Sequence, residues 1–261
     1  MIKITICGIA GRMGREIINA AAECTDIKIA CGLEISGHPL VGKSIEDIDV
    51  YDDIQTAINQ CDCVVDFTNH KAALSVLQYL RSDIHPFISG STGFNDADIN
   101  TINEISKNVP VFIAPNMSLG INTLYELVDR TSKNLPEFDI EIIETHHKLK
   151  KDAPSGTAKA MIELIKVNRP DINLVTERNG ITGERKKGEM GIFAIRGGDV
   201  VGEHRVLFLG EGEFIELRHF ATSRRCFARG ALAAVKFMVN KKPDLYTMSD
   251  LLKAQAGLTN I

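Results

Sequence analysis

No stretch of the 261-residue chain approaches the roughly 20 consecutive apolar residues that span a bilayer, so a membrane partner is not expected. An excess of positive charge is missing too. Thirty Lys and Arg against 34 Asp and Glu leave a formal charge of −4, which gives no general attraction to nucleic acid or anionic lipid. C-x-x-C pairs are absent, although six cysteines are present: Cys7, Cys24, Cys31, Cys61, Cys63 and Cys226. Cys7, Cys31 and Cys63 lie in apolar runs, and a chain of this length needs no disulfide framework, so reduced and mostly buried thiols are expected. The opening M-I-K-I-T-I-C-G-I-A-G reaches its glycines too early for the apolar segment of a signal peptide, and a cytoplasmic protein is expected. Internal repeats and low-complexity tracts are lacking as well.

What is present is ordinary globular usage, with 44% apolar and 25% charged residues. The length suits one large domain or two modest ones, enough to bury roughly 70–75% of the accessible surface. In the first half, short apolar runs at 2–7, 27–33, 63–67, 86–89 and 110–113 read as strands. The helical spacings at 12–23, 71–81 and 96–107 fall between them. Strands separated by helices imply parallel crossovers, hence a doubly wound α/β domain. After Pro115 the pattern changes. Residues 118–133 fit a helix with Leu119, Leu124, Leu127 and Val128 on one face, and Phe138, Ile140 and Ile142 then alternate with Asp139, Glu141 and Ile143. Further strands at 192–196, 204–209 and 213–220, with few helices between them, predict a mixed or antiparallel sheet and a separate α+β layer. An apolar helix at 224–239 is expected to return to the first domain. The expected division is therefore 1–116 with 222–261, and 117–221. The glycine-rich loop at 178–191 is expected to be mobile.

Strand 2–7 runs into Gly8-Ile9-Ala10-Gly11-Arg12-Met13-Gly14 and then a helix. Glycines in that place allow a tight turn and let backbone N–H groups approach a pyrophosphate at the helix N-terminus. The spacing is G-x-x-G-x-x-G, with Ala10 where a second glycine commonly stands, so a tight turn without a ligand is the competing reading. Glu34 ends the second strand about 20 positions after Gly14, the distance at which an acid bonds the adenosine ribose hydroxyls. The later strand ends carry Asp66-Phe67-Thr68, Gly90-Ser91-Thr92-Gly93 and Ala114-Pro115-Asn116-Met117, on the edge where ligands bind in open sheets.

The strongest local signal is Glu144-Thr-His146-His147-Lys-Leu-Lys150-Lys-Asp-Ala-Pro-Ser-Gly156-Thr157. An exposed strand ends in two histidines, a cationic loop follows, and a new helix opens. Adjacent strand residues point to opposite faces and no further ligands follow at a familiar spacing, so a zinc site is not expected. A basic surface loop is the plain alternative. Against it, His titrates near neutrality, nearby Lys charges lower its pKa, and a helix N-terminus at Gly156 and Thr157 offers donors to a carboxylate. The set suits a small anionic substrate that is protonated during reaction. Arg196-Gly-Gly-Asp199 and Gly202-Glu-His204 read as hairpin punctuation, and Arg224-Arg225 as a helix cap or partners for acids.

These residues resemble the 4-hydroxy-tetrahydrodipicolinate reductase (dihydrodipicolinate reductase) family of lysine and diaminopimelate synthesis. The resemblance covers nearly the whole chain through G-x-x-G-R-M-G, G-S-T-G, A-P-N-M-S-x-G and, most specifically, E-x-H-H-x-x-K-x-D-A-P-S-G-T. It implies a Rossmann-like, discontinuous nucleotide domain and a substrate domain whose mixed sheet builds a homotetramer, with hinges between them that let the domains close. It also implies His146 as proton donor and acceptor, Lys150 as second donor, and His147, Gly156 and Thr157 on the carboxylates of a small dicarboxylate substrate. Residues 8–13, Glu34, 90–92 and 114–117 would contact the cofactor, NADH in preference to NADPH, with no metal. Another two-domain dehydrogenase of an amino acid or sugar and a non-catalytic NAD-binding regulator are the alternatives.

Overall fold

The computed structural model describes residues 1–82 and 84–257. In chain order the first elements are β1 (Ile2–Cys7), α1 (Arg12–Ala21), β2 (Ile27–Leu33), a hairpin of β3 (Ser44–Ile45) and β4 (Ile48–Tyr51), and α2 (Ile54–Ile58). Next come β5 (Cys63–Asp66), α3 (His70–Tyr79), β6 (Phe87–Ser89), α4 (Asp96–Ser106) and β7 (Pro110–Ile113). The middle of the chain forms α5 (Leu119–Asn134), β8 (Asp139–His146), α6 (Gly156–Asn168), β9 (Asn173–Val175), β10 (Glu189–Arg196), β11 (Gly202–Leu209) and β12 (Phe214–Ala221). It ends with α7 (Arg225–Met238), β13 (Asp244–Tyr246) and α8 (Met248–Gln255). Two compact units result, Met1–Leu119 with Arg224–Ile261, and Gly120–Ser223. Residues 258–261, which the sequence assigns to the first domain, lie outside the described residues.

The first unit is a sheet ordered β13-β7-β6-β5-β1-β2-β4-β3, parallel except for the β3–β4 hairpin. Alternation along β1 explains its two layers. Ile4 and Ile6 join a core with Ile17, Val65, Ala231 and Val235 on the side of α1 and α7. Cys7 joins Cys31, Val64, Leu77 and Ile102 on the side of α3 and α4. Such two-sided burial is what makes β5 and β6 read as continuous apolar runs. The six thiols are free, and Cys7, Cys31, Cys61 and Cys63 are buried. α7 can lie against the segment after β7 only because residue 230 is glycine, since a Cβ there would sit 1.7 Å from the Met117 carbonyl oxygen.

The second unit holds a sheet ordered β12-β11-β8-β10-β9, in which β8, β10 and β9 are parallel and β11 is antiparallel to both β8 and β12. Ile140, Ile142, Val206 and Phe208 face a core shared with α5 and α6. On α5 the inward positions are Ile121, Leu124 and Val128, whereas Leu127, expected on that face, is exposed. The 178–191 segment, expected from its glycines to be a mobile loop, carries two ties to the sheet. Arg178 and Arg185 both pair with Glu141, and β10 begins already at Glu189. The sequence reading missed β3, β4, α2, β9, β13 and α8. All but α8 are five residues or shorter, too brief for a period to register. Among the described residues no helix is long and apolar enough to cross a membrane.

Candidate active site

In the first unit, β1, β5, β6 and β7 run parallel, so their C-terminal ends open on one edge. Strand order reverses at β1, the place where ligands enter open α/β sheets. Gly8 takes φ +78°, and a Cβ on Gly14 would come 2.2 Å from the Ile9 carbonyl oxygen, so the turn requires glycine at both positions. Gly11 is the N-cap of α1, with no side-chain cap bond and no acid in the first turn. By contrast α3 and α4 are capped by Asn69 and Asn95. The start of α1 is thus built to face an anion with backbone N–H groups. Glu34 reaches back over this turn, its Oε1 accepting the Ala10 N–H at 2.8 Å. A groove of about 830 Å³ runs over Gly8, Ala10, Gly11, Glu34, Ile35, His38, Thr68 and Lys71. The donor set and the glycine cradle fit a dinucleotide's pyrophosphate and ribose.

Arg12 is exposed and Met13 half-buried in the first turn of α1, while Ile9 and Met117 are buried in the core and can offer a ligand only their backbones. Thr92 and Pro115 are exposed, Ala114 is buried, and Asn116 accepts the Ser118 N–H at 3.0 Å. The Gly90–Thr92 segment is anchored from below. Asp66 Oδ2 accepts Ser89 Oγ at 2.6 Å and Ser91 Oγ at 2.7 Å, and Oδ1 accepts Thr68 Oγ1. Burial pushes the Asp66 carboxyl up in spite of these three donors.

In the second unit β8 delivers Glu144 and His146 to one face, two residues apart and both buried, rather than to an exposed strand as expected. The sheet register sets Arg196 beside His146 and His204 beside Glu144. The Glu144 carboxylate accepts the Ser155 N–H at 3.1 and 3.2 Å and Arg196 Nη2 at 2.8 Å. His146 Nδ1 lies 3.4 Å from Glu144 Oε2, and His204 Nε2 lies 3.7 Å from the same oxygen and 3.1 Å from Ser155 Oγ. The two imidazoles meet edge to face at 5.1 Å. Burial works against the Glu144 charge, but the bonds from Ser155 and Arg196 outweigh it and hold the carboxyl below its ordinary value. Burial is also the main reason the His146 pKa is lowered; Lys150, Arg196 and His147 add to this and Glu144 opposes it. The lysines expected to lower it are therefore the lesser cause. His204, buried and next to His146, is pushed down to about 4.

Ser155 is the N-cap of α6, its Oγ accepting the Ala158 N–H at 3.2 Å. Gly156 is exposed, and nothing lies within 4 Å of where its Cβ would stand, so a ligand has open access to the helix start. Thr157 is bonded to Tyr125. Lys150 Nζ pairs with Asp152 at 2.9 Å, and His147 is half-buried. The ligating atoms of Glu144, His146 and His204 lie within 4.8 Å of one another, a spacing a metal could use. The Arg196 guanidinium already occupies that carboxylate and opposes a second cation there.

Glu144, Ser155, Arg196 and His204 were given no role by the sequence reading. Arg196 and His204, taken there for hairpin punctuation, are parts of this network. One signal was available for His204: with Val206 and Phe208 it occupies alternate positions of a strand, so it shares their inward face. Arg225 behaves as expected and pairs with Glu23.

Residues 2–117 match the family described as "Dihydrodipicolinate reductase, N-terminus", and residues 120–252 match "Dihydrodipicolinate reductase, C-terminus". A protein of Geotalea uraniireducens named 4-hydroxy-tetrahydrodipicolinate reductase is 42% identical over 97% of this chain and 99% of its own. One of the same name from Campylobacter curvus is 43% identical over the same shares. The solved structure of a dipicolinate-bound dihydrodipicolinate reductase from Paenisporosarcina sp. TG-14 superposes with a TM-score of 0.79 at 22% identity, covering 95% of this chain and 97% of that one. A myo-inositol dehydrogenase from Corynebacterium glutamicum superposes at 0.60 with 12% identity over 98% and 94%, a likeness of fold alone. Matched in both halves by one family and along nearly its whole length by these relatives, the chain belongs to the dihydrodipicolinate reductase family.

Proposed function

We propose that this chain is an NAD(P)H-dependent oxidoreductase carrying out the reaction its family is named for. It would reduce 4-hydroxy-tetrahydrodipicolinate to tetrahydrodipicolinate in diaminopimelate and lysine synthesis. The observation that carries the residue-level reading is the placement of His146, buried at the end of β8, ahead of Lys150 and the open N-terminus of α6. A bound nicotinamide supplies a hydride to carbon 4 of the cyclic unsaturated imine left when the hydroxyl departs as water. His146, with Lys150 as second donor, then protonates carbon 3 of the resulting enamine. The Gly156 and Thr157 helix start and His147 hold the substrate carboxylates. A depressed His146 pKa leaves the ring neutral near pH 7 in the free protein, and an arriving dicarboxylate favours the charged form again, so protonation is coupled to substrate binding.

The backbone of residues 8–13 holds the pyrophosphate, Glu34 the ribose hydroxyls, and residues 90–92 and 114–117 complete the cofactor site. NADH is preferred over NADPH. Exposed Ile195, Phe214, Ile215 and Phe220 on the sheet of the second unit support a homotetramer formed through that sheet. The proposed place of action is the cytoplasm. Oxidation of NADH followed at 340 nm tests the activity. It proceeds only when the dicarboxylic imine is supplied; turnover of a sugar or amino acid in its place, or NADH binding without turnover, contradicts the reading. Light scattering at micromolar concentration should give four chains, and a monomer contradicts the assembly.

A further inference from the structure

We propose that Glu144 is the positioning residue of this site: its buried carboxylate stands beside His146 Nδ1, ready to take that N–H when a ligand closes on the ring, and through the Ser155 amide it holds the start of α6. The inference rests on the reading of His146 as proton donor. A carboxylate with no exposed surface is costly unless donors surround it. Here the Arg196 guanidinium and the Ser155 N–H occupy its oxygens, and Oε2 also faces His146 Nδ1 at 3.4 Å. That contact lacks hydrogen-bond geometry and leaves the buried Nδ1 without a hydrogen-bond partner, as is common for catalytic pairs before a ligand closes on them. Two functional parts that are ten positions apart in sequence, His146 and Gly156, therefore depend on one acid.

The chemistry of the ring gives this arrangement a consequence. A carboxylate beside Nδ1 keeps the proton of the neutral imidazole on that nitrogen, so the proton exchanged with substrate is the one on Nε2. Glycine at 202 leaves room on that side: a Cβ there would stand 3.1 Å from His146 Nε2. The charged and titratable groups that face His146 are Glu144 on its own strand, His147 and Lys150 from the following loop, Arg196 from β10 and His204 from β11. Glu144 alone among them favours the imidazolium.

Glu144→Gln should lower kcat roughly 10- to 100-fold, within the worth of a positioned general acid, while NADH affinity stays unchanged. The alkaline limb of kcat/KM against pH should move to lower pH, because the charge that favoured the imidazolium is gone, and the substrate KM should rise as Ser155 loses its anchor. In a His146→Ala background the same substitution should leave kcat alone, since its effect on turnover passes through the ring. An unshifted limb with normal kcat, or an equal loss in the His146→Ala background, overturns the role of Glu144. Long-range proton–nitrogen NMR on the unmodified enzyme gives a reading that does not depend on any variant folding. The neutral His146 ring is expected to carry its proton on Nδ1, and a proton found on Nε2 overturns the proposal. If His146→Ala itself keeps full turnover, the proton-donor reading fails and Glu144's role with it. If His146→Ala is dead and Glu144→Gln is normal, only the positioning role falls.

Discussion

The nucleotide-side loops of the first unit and the β8–α6 network of the second solve different problems with different materials. Around β1 the polar work is done by backbone: glycines at 8, 11 and 14 shape the turn that leads into α1, with one acid, Glu34, reaching across to the Ala10 N–H. Around β8 it is done by side-chain charge, with Glu144 tied to Arg196 and Ser155 and flanked by His146 and His204. A backbone cradle has no side chain to lose, so it fails mainly where a Cβ cannot fit. A charge network keeps its shape in small substitutions but loses its chemistry when one proton site goes. Substitutions in the first unit should therefore register in stability and cofactor affinity, and those in the second in turnover and pH dependence.

The sharpest way to break that contrast is to remove the proton donor. His146→Ala should lower turnover by roughly two to four orders of magnitude, the usual worth of general acid–base catalysis, with cofactor affinity scarcely changed. Lys150→Ala should cut turnover less, and His147→Ala should chiefly raise the substrate KM. Steady-state kinetics with saturating imine decide it: equal losses of affinity at all three positions, with turnover intact, would reduce the loop to an anion-binding surface.

The next contrast is in stability. Gly14→Ala must move the Ile9 carbonyl, and backbone overpacking of this kind costs about 1–3 kcal/mol. Urea unfolding should show that loss, with NADH affinity weakened and the imine KM unaffected. On the other side His204 supplies a pH-dependent term. Its folded pKa of about 4 lies below the unfolded value of about 6.5, so the unfolded chain binds more protons between those limits. Stability is fully present above pH 6.5 and falls as the pH drops toward 4, by about 3 kcal/mol at 1.36 kcal/mol per pKa unit. Protonation of Glu144, whose carboxyl is held below its ordinary value, removes more in acid. His204→Gln should flatten the slope of stability between pH 6.5 and 4; an unchanged slope would show that His204 is not what titrates.

The same division explains what could be read from the chain before its structure. Local features were legible: the strand–glycine–helix run expected at 2–23 ends at Ala21, the alternation at 138–143 lies in β8, and a helix opens at Gly156. The place of Glu34 beside the glycine turn was legible because a turn and one helix fix its distance from Gly14. Arg196 and His204 were not, because they meet Glu144 across 52 and 60 residues and only the pairing of β8 with β10 and β11 brings them in. Leu127 was placed inward because a three-four spacing admits it, and only the packing of α5 shows Ile121 in that face instead. Arg178 and Arg185 likewise belong to a loop whose glycines suggest motion, while the tie to Glu141 is 37 and 44 residues away.

The smallest effect tests the cofactor groove. Glu34 can accept bonds from both adenosine ribose hydroxyls, and a 2′-phosphate there would meet a carboxylate. The next residue, Ile35, is 77% exposed and offers no contact to phosphate. An arginine in its place would give a charge-assisted, bidentate one. NADH should therefore be favoured about tenfold in kcat/KM, which is about 1.4 kcal/mol. Ile35→Arg should narrow the gap chiefly by lowering the NADPH KM, while kcat and His146-dependent pH behaviour stay as they were. His38 and Lys71 line the same groove and set the limit of the preference, since the Lys71 ammonium or a His38 ring N–H can take a phosphate that swings away from Glu34. Measured at one salt concentration, an unmodified enzyme that prefers NADPH would show that one of these two reads the phosphate. Lys71→Ala and His38→Ala would then identify which, by restoring the preference for NADH.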